Sequence, residues 1–487
     1  MTYSRHNLAD TIVALATPPG VGAIGIIRLS GSEAIGIVQK VFGGKDLTQQ
    51  DSHTLHFGTI IGEDGKILDE VLVSLFKAPH SYTGENVAEV SCHGSPFILR
   101  QVLELFIEKG ARLAQPGEFT LRAFLNGKMD LSQAEAVADL ITSTSESAHS
   151  VAMRQMRGGF SHEIKKLRED LINFASLIEL ELDFAEEDVE FANREQLKLT
   201  VAKIQSFIHS LIRSFRLGNV LKTGVPTVIA GRPNAGKSTL LNALLNEERA
   251  IVSHIAGTTR DTIEEILNIN GVEFRLIDTA GIREAQDQIE AIGVEKTMEK
   301  VRQATLLVYV FDVVETKIDE VLADVKNLQS ENTQLLVVCN KMDNLPSYKP
   351  EWLLHPADPA IPDFFFANRS QLAVGSWQLA VGQQQVITLS AKNGMNIPFL
   401  KEKLYDLAIS EKVNLESPIV TNARHYEALQ KASESLDDVQ RGLDDGVTSD
   451  FVAMDIRRAL AYLGEILGEM STEDLLSNIF SRFCIGK

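Results

Sequence analysis

The chain has 487 residues and a mass of 53.6 kDa, which is more than one hydrophobic core usually serves, so we expect several domains. A composition of 44% hydrophobic and 23% charged residues is that of an ordinary globular protein and excludes a disordered or fibrous chain. The net charge of −19 excludes a protein that coats nucleic acid through its overall charge, and the lack of a long apolar run predicts a cytoplasmic protein with no membrane association and no signal peptide.

The first stretch, residues 1–127, contains short β-branched segments separated by turns. The turn Gly62–Gly65 separates two alternating segments and predicts a β-hairpin, and a helix is expected over Pro96–Lys109. The segment Gly20–Gly25 matches GxGxxG, but two prolines precede it and β-branched residues follow. We therefore interpret it as a glycine turn between strands, and the whole stretch as an α+β domain.

Helical periodicity predicts that residues 128–222 and 411–487 are two parts of one all-helical domain, with a helix that begins at Phe451 in the second part. Between them, residues 223–410 alternate apolar strands with helical stretches, which is typical of an α/β domain with a mostly parallel sheet. We expect this domain to be inserted into the helical one. The stretch Trp352–Gln385, which contains Gln-Leu-Ala-Val-Gly twice, is predicted to be an extra loop.

The strongest functional motif is Gly231–Ser238, with the sequence Gly-Arg-Pro-Asn-Ala-Gly-Lys-Ser, between an apolar strand and a helix. Its glycines let backbone N–H groups close around phosphate oxygens, and the helix N-terminus adds partial positive charge. Lys237 is placed to reach the β- and γ-phosphates of a nucleotide, and Ser238 is placed to bind Mg²⁺. The motif therefore predicts a phosphate-binding loop.

Three further motifs follow on successive strands, in the order that a guanine nucleotide switch requires. Asp278–Gly281 places a carboxylate near the Mg²⁺, Asn340–Asp343 ends in a carboxylate that accepts two hydrogen bonds from guanine, and Ser390–Lys392 is placed to contact the guanine oxygen. Together the motifs predict a Ras-like P-loop GTPase domain. The nucleotide-binding residues expected from them are Asn234, Ala235, Gly236, Lys237, Ser238, Thr239, Asp278, Thr279, Ala280, Gly281, Asn340, Lys341, Asp343, Ser390, Ala391 and Lys392.

The residues expected to promote hydrolysis differ from those of Ras-type GTPases, in which a glutamine after Asp-Thr-Ala-Gly orients the attacking water. Here Ile282 stands at that position, and an apolar side chain cannot orient water. Glu290 is our candidate for the catalytic carboxylate, with Glu284 and Asp287 as alternatives.

Two further ligand positions are expected around the phosphates. Thr259, in the segment Gly257–Asp261, is the expected second Mg²⁺ ligand from a switch loop. No arginine can be assigned by spacing as an arginine finger. A monovalent cation beside Asn234 is therefore a candidate source of the missing positive charge.

Over essentially the whole chain, the sequence resembles the MnmE (TrmE) family of tRNA-modification GTPases. The segments that carry the resemblance are Ala16–Gly31 (ATPPGVGAIGIIRLSG), Pro116–Ala136 (PGEFTLRAFLNGKMDLSQAEA), Gly231–Ser238, Ile255–Asp261 (IAGTTRD), Asp278–Glu284 (DTAGIRE) and Phe483–Lys487 (FCIGK). The first two segments and the last are the most specific of these, because many GTPase families share the others.

The resemblance implies particular ligands for the nucleotide site and for a second site. It implies K⁺ ligands at Asn234, Ser253, Ile255 and Thr258, Mg²⁺ ligands at Ser238 and Thr259, and a catalytic glutamate at Glu290, with Ser253 and Thr258 also part of the nucleotide site. It further implies that residues 1–127 form a tetrahydrofolate-binding and dimerisation domain. There Arg28, Glu89, Lys128 and Lys487 would contact a 5-formyl-tetrahydrofolate-like cofactor, and the C-terminus would fold back towards the N-terminal domain of a dimer partner.

The function that the resemblance implies is modification of tRNA. The family forms a homodimer, joins the flavin-dependent partner MnmG in a heterotetramer, and attaches a carboxymethylaminomethyl-type group at carbon 5 of the wobble uridine, U34. K⁺-dependent dimerisation of the GTPase domains drives its conformational cycle. The alternative is a regulatory GTPase switch in ribosome assembly, against which counts the lack of a basic GxxG clamp for RNA. Cys484 is a candidate for chemistry near the folate.

Overall fold

This computed structural model describes residues 10–183, 194–246, 264–278, 304–328, 333–344, 386–409, 418–469, 473–481 and 483–486. The chain divides into two compact units. Unit 1 comprises Met1–Thr142, Ala152–Ile212 and Ala423–Lys487, and unit 2 comprises Ser143–Val151 and Arg213–Asn422. Unit 2 therefore interrupts unit 1 in sequence, in the manner predicted for an inserted domain. The three domain boundaries predicted above stay predictions, because the N-terminal and helical parts belong to one compact unit.

Unit 1 begins with a sheet that has the strand order β3-β4-β5-β6-β2-β1-β7 in the described residues. Its strands are β1 (Ile12–Leu15), β2 (Ile24–Ser30), β3 (Phe42–Gly43), β4 (Thr54–Ile61), β5 (Ile67–Phe76), β6 (Val87–His93) and β7 (Arg112–Leu113). β4 and β5 form the predicted hairpin, in which the Gly62 amide donates to the Lys66 carbonyl over 2.9 Å. Gly20 and Gly22 lie between β1 and β2, which begins at Ile24, so the interpretation of that segment as a glycine turn between strands is confirmed.

Helices lie on both faces of this sheet. α1 (Ala34–Gln39) and α2 (Pro96–Glu108) cover one face, and α2 confirms the helix predicted at Pro96–Lys109. α3 (Glu118–Leu125) lies on the other face, where its Phe119 is buried with Ile12 and Ala14 of β1. Alternate residues of β5, such as Val71 and Val73, are buried in one core cluster together with Val102 and Phe106 of α2. Because successive strand residues point to opposite faces, the residues between them lie on the other face of the sheet.

The first helical part contains α4 (Leu131–Thr142), α5 (Glu146–Met156), α6 (Gly159–Asp183) and α7 (Arg194–Thr223), as the periodicity predicted. In α6, Ile164, Leu167 and Leu171 are buried at three- and four-residue steps. The apolar face formed by these residues explains how a helix with many charged residues packs onto the core of the helical part.

Unit 2 is built on a sheet with the order β13-β12-β11-β8-β10-β9. The strands are β8 (Val225–Ala230), β9 (Glu264–Ile269), β10 (Val272–Asp278), β11 (Leu306–Asp312), β12 (Gln334–Asn340) and β13 (Val386–Thr388), and the helices are α8 (Lys237–Asn246), α9 (Ile318–Leu328) and α10 (Ile397–Ala408). All described pairings are parallel except that of β9 with β10. The predicted fold class, with its mostly parallel sheet, is confirmed. The edge strand β9 was not predicted, although Asn270-Gly271 is a typical hairpin turn.

The second helical part contains α11 (Ala423–Asp444), α12 (Ser449–Leu467) and α13 (Glu473–Phe480). α12 begins at Ser449, slightly before the predicted Phe451, because Thr448 is the extended residue that precedes the helix. α12 packs on both α6 and α11 within unit 1. Among the helices that the structure describes, none is long and apolar enough to cross a membrane.

A buried ionic cluster joins the two helical parts within unit 1. Arg424 at the start of α11 donates to both carboxylate oxygens of Glu135 on α4, over 3.1 and 2.8 Å, and His425 Nε2 lies 2.7 Å from the same carboxylate. Arg424 also donates to the Glu465 carbonyl of α12 over 2.6 Å. Burial opposes ionisation of Glu135, but its contacts with His425 and Arg424 lower its pKa to about 2. Ionic hydrogen bonds to Glu135 therefore hold the second helical part against the first, in addition to the packing of the helices.

Candidate functional site

The phosphate loop connects β8 to α8, at the carboxyl end of the parallel strands. The Lys237 ammonium donates to the Gly231 and Arg232 carbonyls, over 2.7 and 2.8 Å. Asn234 is exposed and adopts a left-handed conformation, with φ +61°. The loop therefore curls around the lysine and presents Asn234 outwards, while Ser238 and Thr239 lie in the first turn of α8.

Asn340, at the end of β12, joins three of the predicted nucleotide segments. Its side-chain amide donates to the Ala235 carbonyl over 2.9 Å, and its side-chain oxygen accepts from the Ala391 amide over 3.0 Å. The residue is 2% exposed, so these contacts satisfy a polar group that water does not reach. A Cβ atom at Gly236 would lie 2.3 Å from the Asn340 amide nitrogen, which explains why a glycine occupies that position.

Asp343 lies beside Ser390–Lys392, the segment predicted to contact the guanine oxygen. The Ser390 hydroxyl donates to its Oδ1 over 2.7 Å, and this bond lowers the pKa of Asp343 below its ordinary value. An ionised carboxylate is an acceptor only, and it retains lone pairs for two donors of a guanine base. The arrangement is therefore suited to guanine, as predicted from the motif.

A contact that the motifs did not predict involves Asp312, at the carboxyl end of β11. Its carboxylate pairs with the Lys341 ammonium over 2.6 Å, and Asp312 is 4% exposed. Lys341 itself has φ +64°, so its side chain leaves the chain at an unusual angle towards this acid. The sequence carried a signal that could have identified Asp312, because it ends an apolar strand at the same sheet edge as the other site residues.

Several predicted site residues lie outside the described residues. They are Ser253, Ile255, Thr258, Thr259, Thr279, Ala280, Gly281, Glu290 and Lys487, and the predicted loop Trp352–Gln385 lies outside as well. Asp278 is the last residue of β10, and Lys392 is exposed next to Ala391. The roles of these residues in metal binding and hydrolysis stay predictions.

The second predicted site, in unit 1, centres on the neighbouring strands β2 and β6. Arg28 and Glu89 are cross-strand partners, and the Arg28 Nε donates to Glu89 Oε1 over 2.7 Å. The Arg28 guanidinium carbon lies 5.8 Å from the ring centres of both Tyr82 and Phe119. Lys128 donates to the Pro79 carbonyl over 3.1 Å. Neither aromatic residue was predicted, because only the fold brings them to Arg28.

The C-terminal segment lies against this site. The Gly486 carbonyl accepts from Arg28 Nη1 over 3.4 Å, and the Cys484 carbonyl accepts from the Gly117 amide over 3.4 Å. Gly486 has φ +97°, and a Cβ there would lie 2.3 Å from the Leu15 carbonyl oxygen. The C-terminus does fold back as predicted. The described residues of the C-terminal segment contact the N-terminal sheet of the same chain, and a contact with a dimer partner stays a prediction.

Comparison with known proteins agrees with this architecture. A family model described as the MnmE helical domain matches residues 131–484, and one described as the N-terminus of the GTP-binding protein TrmE matches residues 11–128. A tRNA modification GTPase MnmE from Cytophaga hutchinsonii is 53% identical over 100% of both chains. The protein of that name from Christiangramia forsetii is 52% identical over 99% of this chain and 100% of its own.

Solved structures also match part of the chain. A single-residue variant of Aquifex aeolicus Era bound to GDP.AlF4- is 22% identical, with a TM-score of 0.27, over 43% of this chain and 65% of that chain. The relatives and both family models, by contrast, extend over the phosphate loop, the helical parts and the Arg28 site together. The chain therefore belongs to the MnmE family of tRNA modification GTPases.

Proposed function

We propose that this GTPase hydrolyses GTP to drive modification of carbon 5 of the wobble uridine U34 in tRNA, together with a flavin-dependent MnmG-type partner. The observation that carries the proposal is the coexistence, in one chain of this family, of a guanine nucleotide site and the Arg28 site. Relatives at 53% and 52% identity are named tRNA modification GTPases. A tRNA substrate would place the protein in the cytoplasm.

At the nucleotide site, Lys237 would exchange its loop carbonyls for phosphate oxygens, and Asp343 would accept from the guanine base. Ser238 and Thr259 would hold Mg²⁺, which neutralises charge on the phosphates. Asn234, Ser253, Ile255 and Thr258 would hold K⁺, and Glu290 would orient the attacking water. The observed Asn234 fits a K⁺ ligand, because it presents a neutral amide from an exposed, left-handed turn of the phosphate loop.

We expect hydrolysis to depend on the alkali cation. With KCl in place of NaCl at equal ionic strength, GTP turnover of the wild type should be at least about tenfold faster, because K⁺ supplies positive charge to the transition state. The variant Asn234→Ala should turn over slowly and equally in both salts. Rb⁺, which is close to K⁺ in radius, serves as the control and should support hydrolysis. Equal wild-type rates in K⁺ and Na⁺ would contradict the cation proposal.

At the Arg28 site, Arg28, Glu89, Lys128 and Lys487 would bind a 5-formyl-tetrahydrofolate or related folate, which supplies the one-carbon unit. The residues present fit such a molecule. The Glu89 carboxylate can accept hydrogen bonds from a pterin ring, lysine ammonium groups can pair with the carboxylates of its glutamate tail, and Tyr82 and Phe119 offer aromatic faces.

An uncovered apolar face supports the proposed homodimer and the heterotetramer that it would form with the partner. Cross-strand pairing places Leu55 in one row with Arg28 and Glu89, and Phe57 and Leu72 in the next row. Leu55, Phe57 and Leu72 are 59%, 66% and 40% exposed in the described structure. Because contiguous exposed apolar residues mark interaction sites, this face is suited to a second copy, which would also enclose the folate.

The function is tested by mass spectrometry of tRNA from cells that lack this protein. We expect the 5-substituted wobble uridine to be lost, to return on complementation with the wild type, and to stay absent with Lys237→Ala. Unchanged uridine would refute the proposal, and unchanged uridine with accumulated ribosomal precursors would favour the ribosome-assembly alternative instead.

A further inference from the structure

The side chain of Arg232, the second residue of the phosphate loop, points away from the lysine and into a cluster of acidic and phenolic groups. Its Nε and Nη2 donate to the two carboxylate oxygens of Asp324 on α9, over 2.7 and 3.3 Å. Its Nη1 lies 3.1 Å from the Glu320 carboxylate on the same helix. The Tyr309 hydroxyl on β11 donates to Asp324 Oδ2 over 2.6 Å. Four side chains from three elements thus converge in one cluster around the guanidinium.

The same arginine supports Lys237 through its backbone. The Arg232 carbonyl accepts from the Lys237 ammonium over 2.8 Å and from the Ala235 amide over 3.3 Å. The position of this carbonyl therefore determines the position of the Lys237 ammonium and of the turn Arg232–Ala235, which contains Asn234. Since the side chain is fastened to α9 and β11, these elements set the position of the carbonyl.

We propose that Asp324 and Tyr309 are positioning residues for GTP and GDP binding, which act through Arg232 to hold the phosphate loop in its binding conformation. They touch neither the lysine nor the predicted base-binding residues in the described structure. Their effect is on the free energy of ordering the loop, so both nucleotides should be affected alike. The proposal rests on nucleotide binding by this GTPase and not on the tRNA step.

The cluster differs from an ordinary surface ion pair in two respects. Tyr309 is 1% exposed, and its hydroxyl fixes one Asp324 oxygen, so the carboxylate is preorganised for the arginine. Burial opposes ionisation of Asp324, yet the bonds from Arg232 and Tyr309 keep its pKa below the ordinary value. The Arg232 side chain is 39% exposed, so solvent screening limits the gain to the lower part of the range for charged hydrogen bonds.

The test compares Asp324→Asn with the wild-type full chain by titration with fluorescent GDP and a non-hydrolysable GTP analogue. We expect the Kd of both nucleotides to rise about fivefold, with kcat at saturating GTP within about twofold of the wild type. Tyr309→Phe, which removes one bond to the carboxylate, should raise both Kd values about twofold. The single variant Arg232→Ala and the double variant Arg232→Ala/Asp324→Asn complete the comparison. The double variant should have Kd values no higher than those of the weaker-binding single variant, because both substitutions remove the same ion pair between Arg232 and Asp324.

The control is Asp319→Asn, which removes a charge from an exposed position on the same helix. Its Kd values should match the wild type, and an equal loss there would overturn the proposal in favour of a general electrostatic effect. The proposal would also fall if Asp324→Asn lowered the melting temperature of the nucleotide-free protein while leaving both Kd values unchanged. If Asp324→Asn did not fold, Tyr309→Phe would provide the test. An unchanged Kd of that variant for GDP would contradict the proposal that Tyr309 and Asp324 position the phosphate loop.

Discussion

Replacing Asp343 with asparagine should turn the nucleotide preference of this protein from guanine to xanthine. The carboxylate accepts from the guanine N1–H and exocyclic amine, whereas an amide would set one of its N–H groups against the guanine amine. Xanthine carries a carbonyl oxygen in place of that amine, so it can accept from the amide. Because an unmatched polar group in a binding site is costly, we expect GTP affinity to fall at least about a hundredfold and XTP to bind in its place.

Competition titrations with GTP and XTP measure this change. Ser390→Ala is the matched control, since it removes the hydroxyl that donates to Asp343 Oδ1 but keeps the carboxylate. That variant should weaken GTP binding severalfold at most and gain no affinity for XTP. Retention of GTP affinity by Asp343→Asn would show that the base does not contact this residue.

Replacing Gly231 with alanine should disrupt unit 2 and abolish nucleotide binding. Gly231 has φ +146°, and an added Cβ would lie 2.0 Å from the Val310 carbonyl oxygen. Val310 is fully buried in the central strand β11, so its backbone cannot move aside. Strain of the backbone and overpacking each cost about 1–3 kcal/mol, so the free energy of unfolding should fall by about 3 kcal/mol or more.

Thermal unfolding of the full chain, followed together with GDP binding, checks this expectation. Gly394→Ala is the control for backbone strain without a clash, because Gly394 also has positive φ, +69°, and no atom lies within 4 Å of the Cβ position. That variant should lose only about 1 kcal/mol and keep its affinity for GDP. Equal losses from the two variants would mean that the contact with Val310 has no energetic consequence.

Local patterns in the sequence were sufficient where the interactions that stabilise a feature are themselves local. The hairpin around Gly62–Gly65, the helix α2 and the phosphate loop are each determined by turn residues, periodicity and glycine spacing within a short segment. The order of the nucleotide motifs was also sufficient to predict a mostly parallel sheet. The strand β9 was not predicted, although it forms a hairpin with β10 around the turn Asn270-Gly271.

By itself, the sequence determined the family of this protein, the class of its nucleotide and the identity of Lys237 and Asp343, because these depend on side-chain chemistry at set spacings. Tertiary structure alone decided that Arg232 is fastened to Asp324, that Asp312 pairs with Lys341, and that Tyr82, Phe119 and the C-terminus surround Arg28. These partners are far apart along the chain. Contacts between distant residues depend on the order of the strands and the packing of the helices. The pattern of residues within a single segment does not specify either of these.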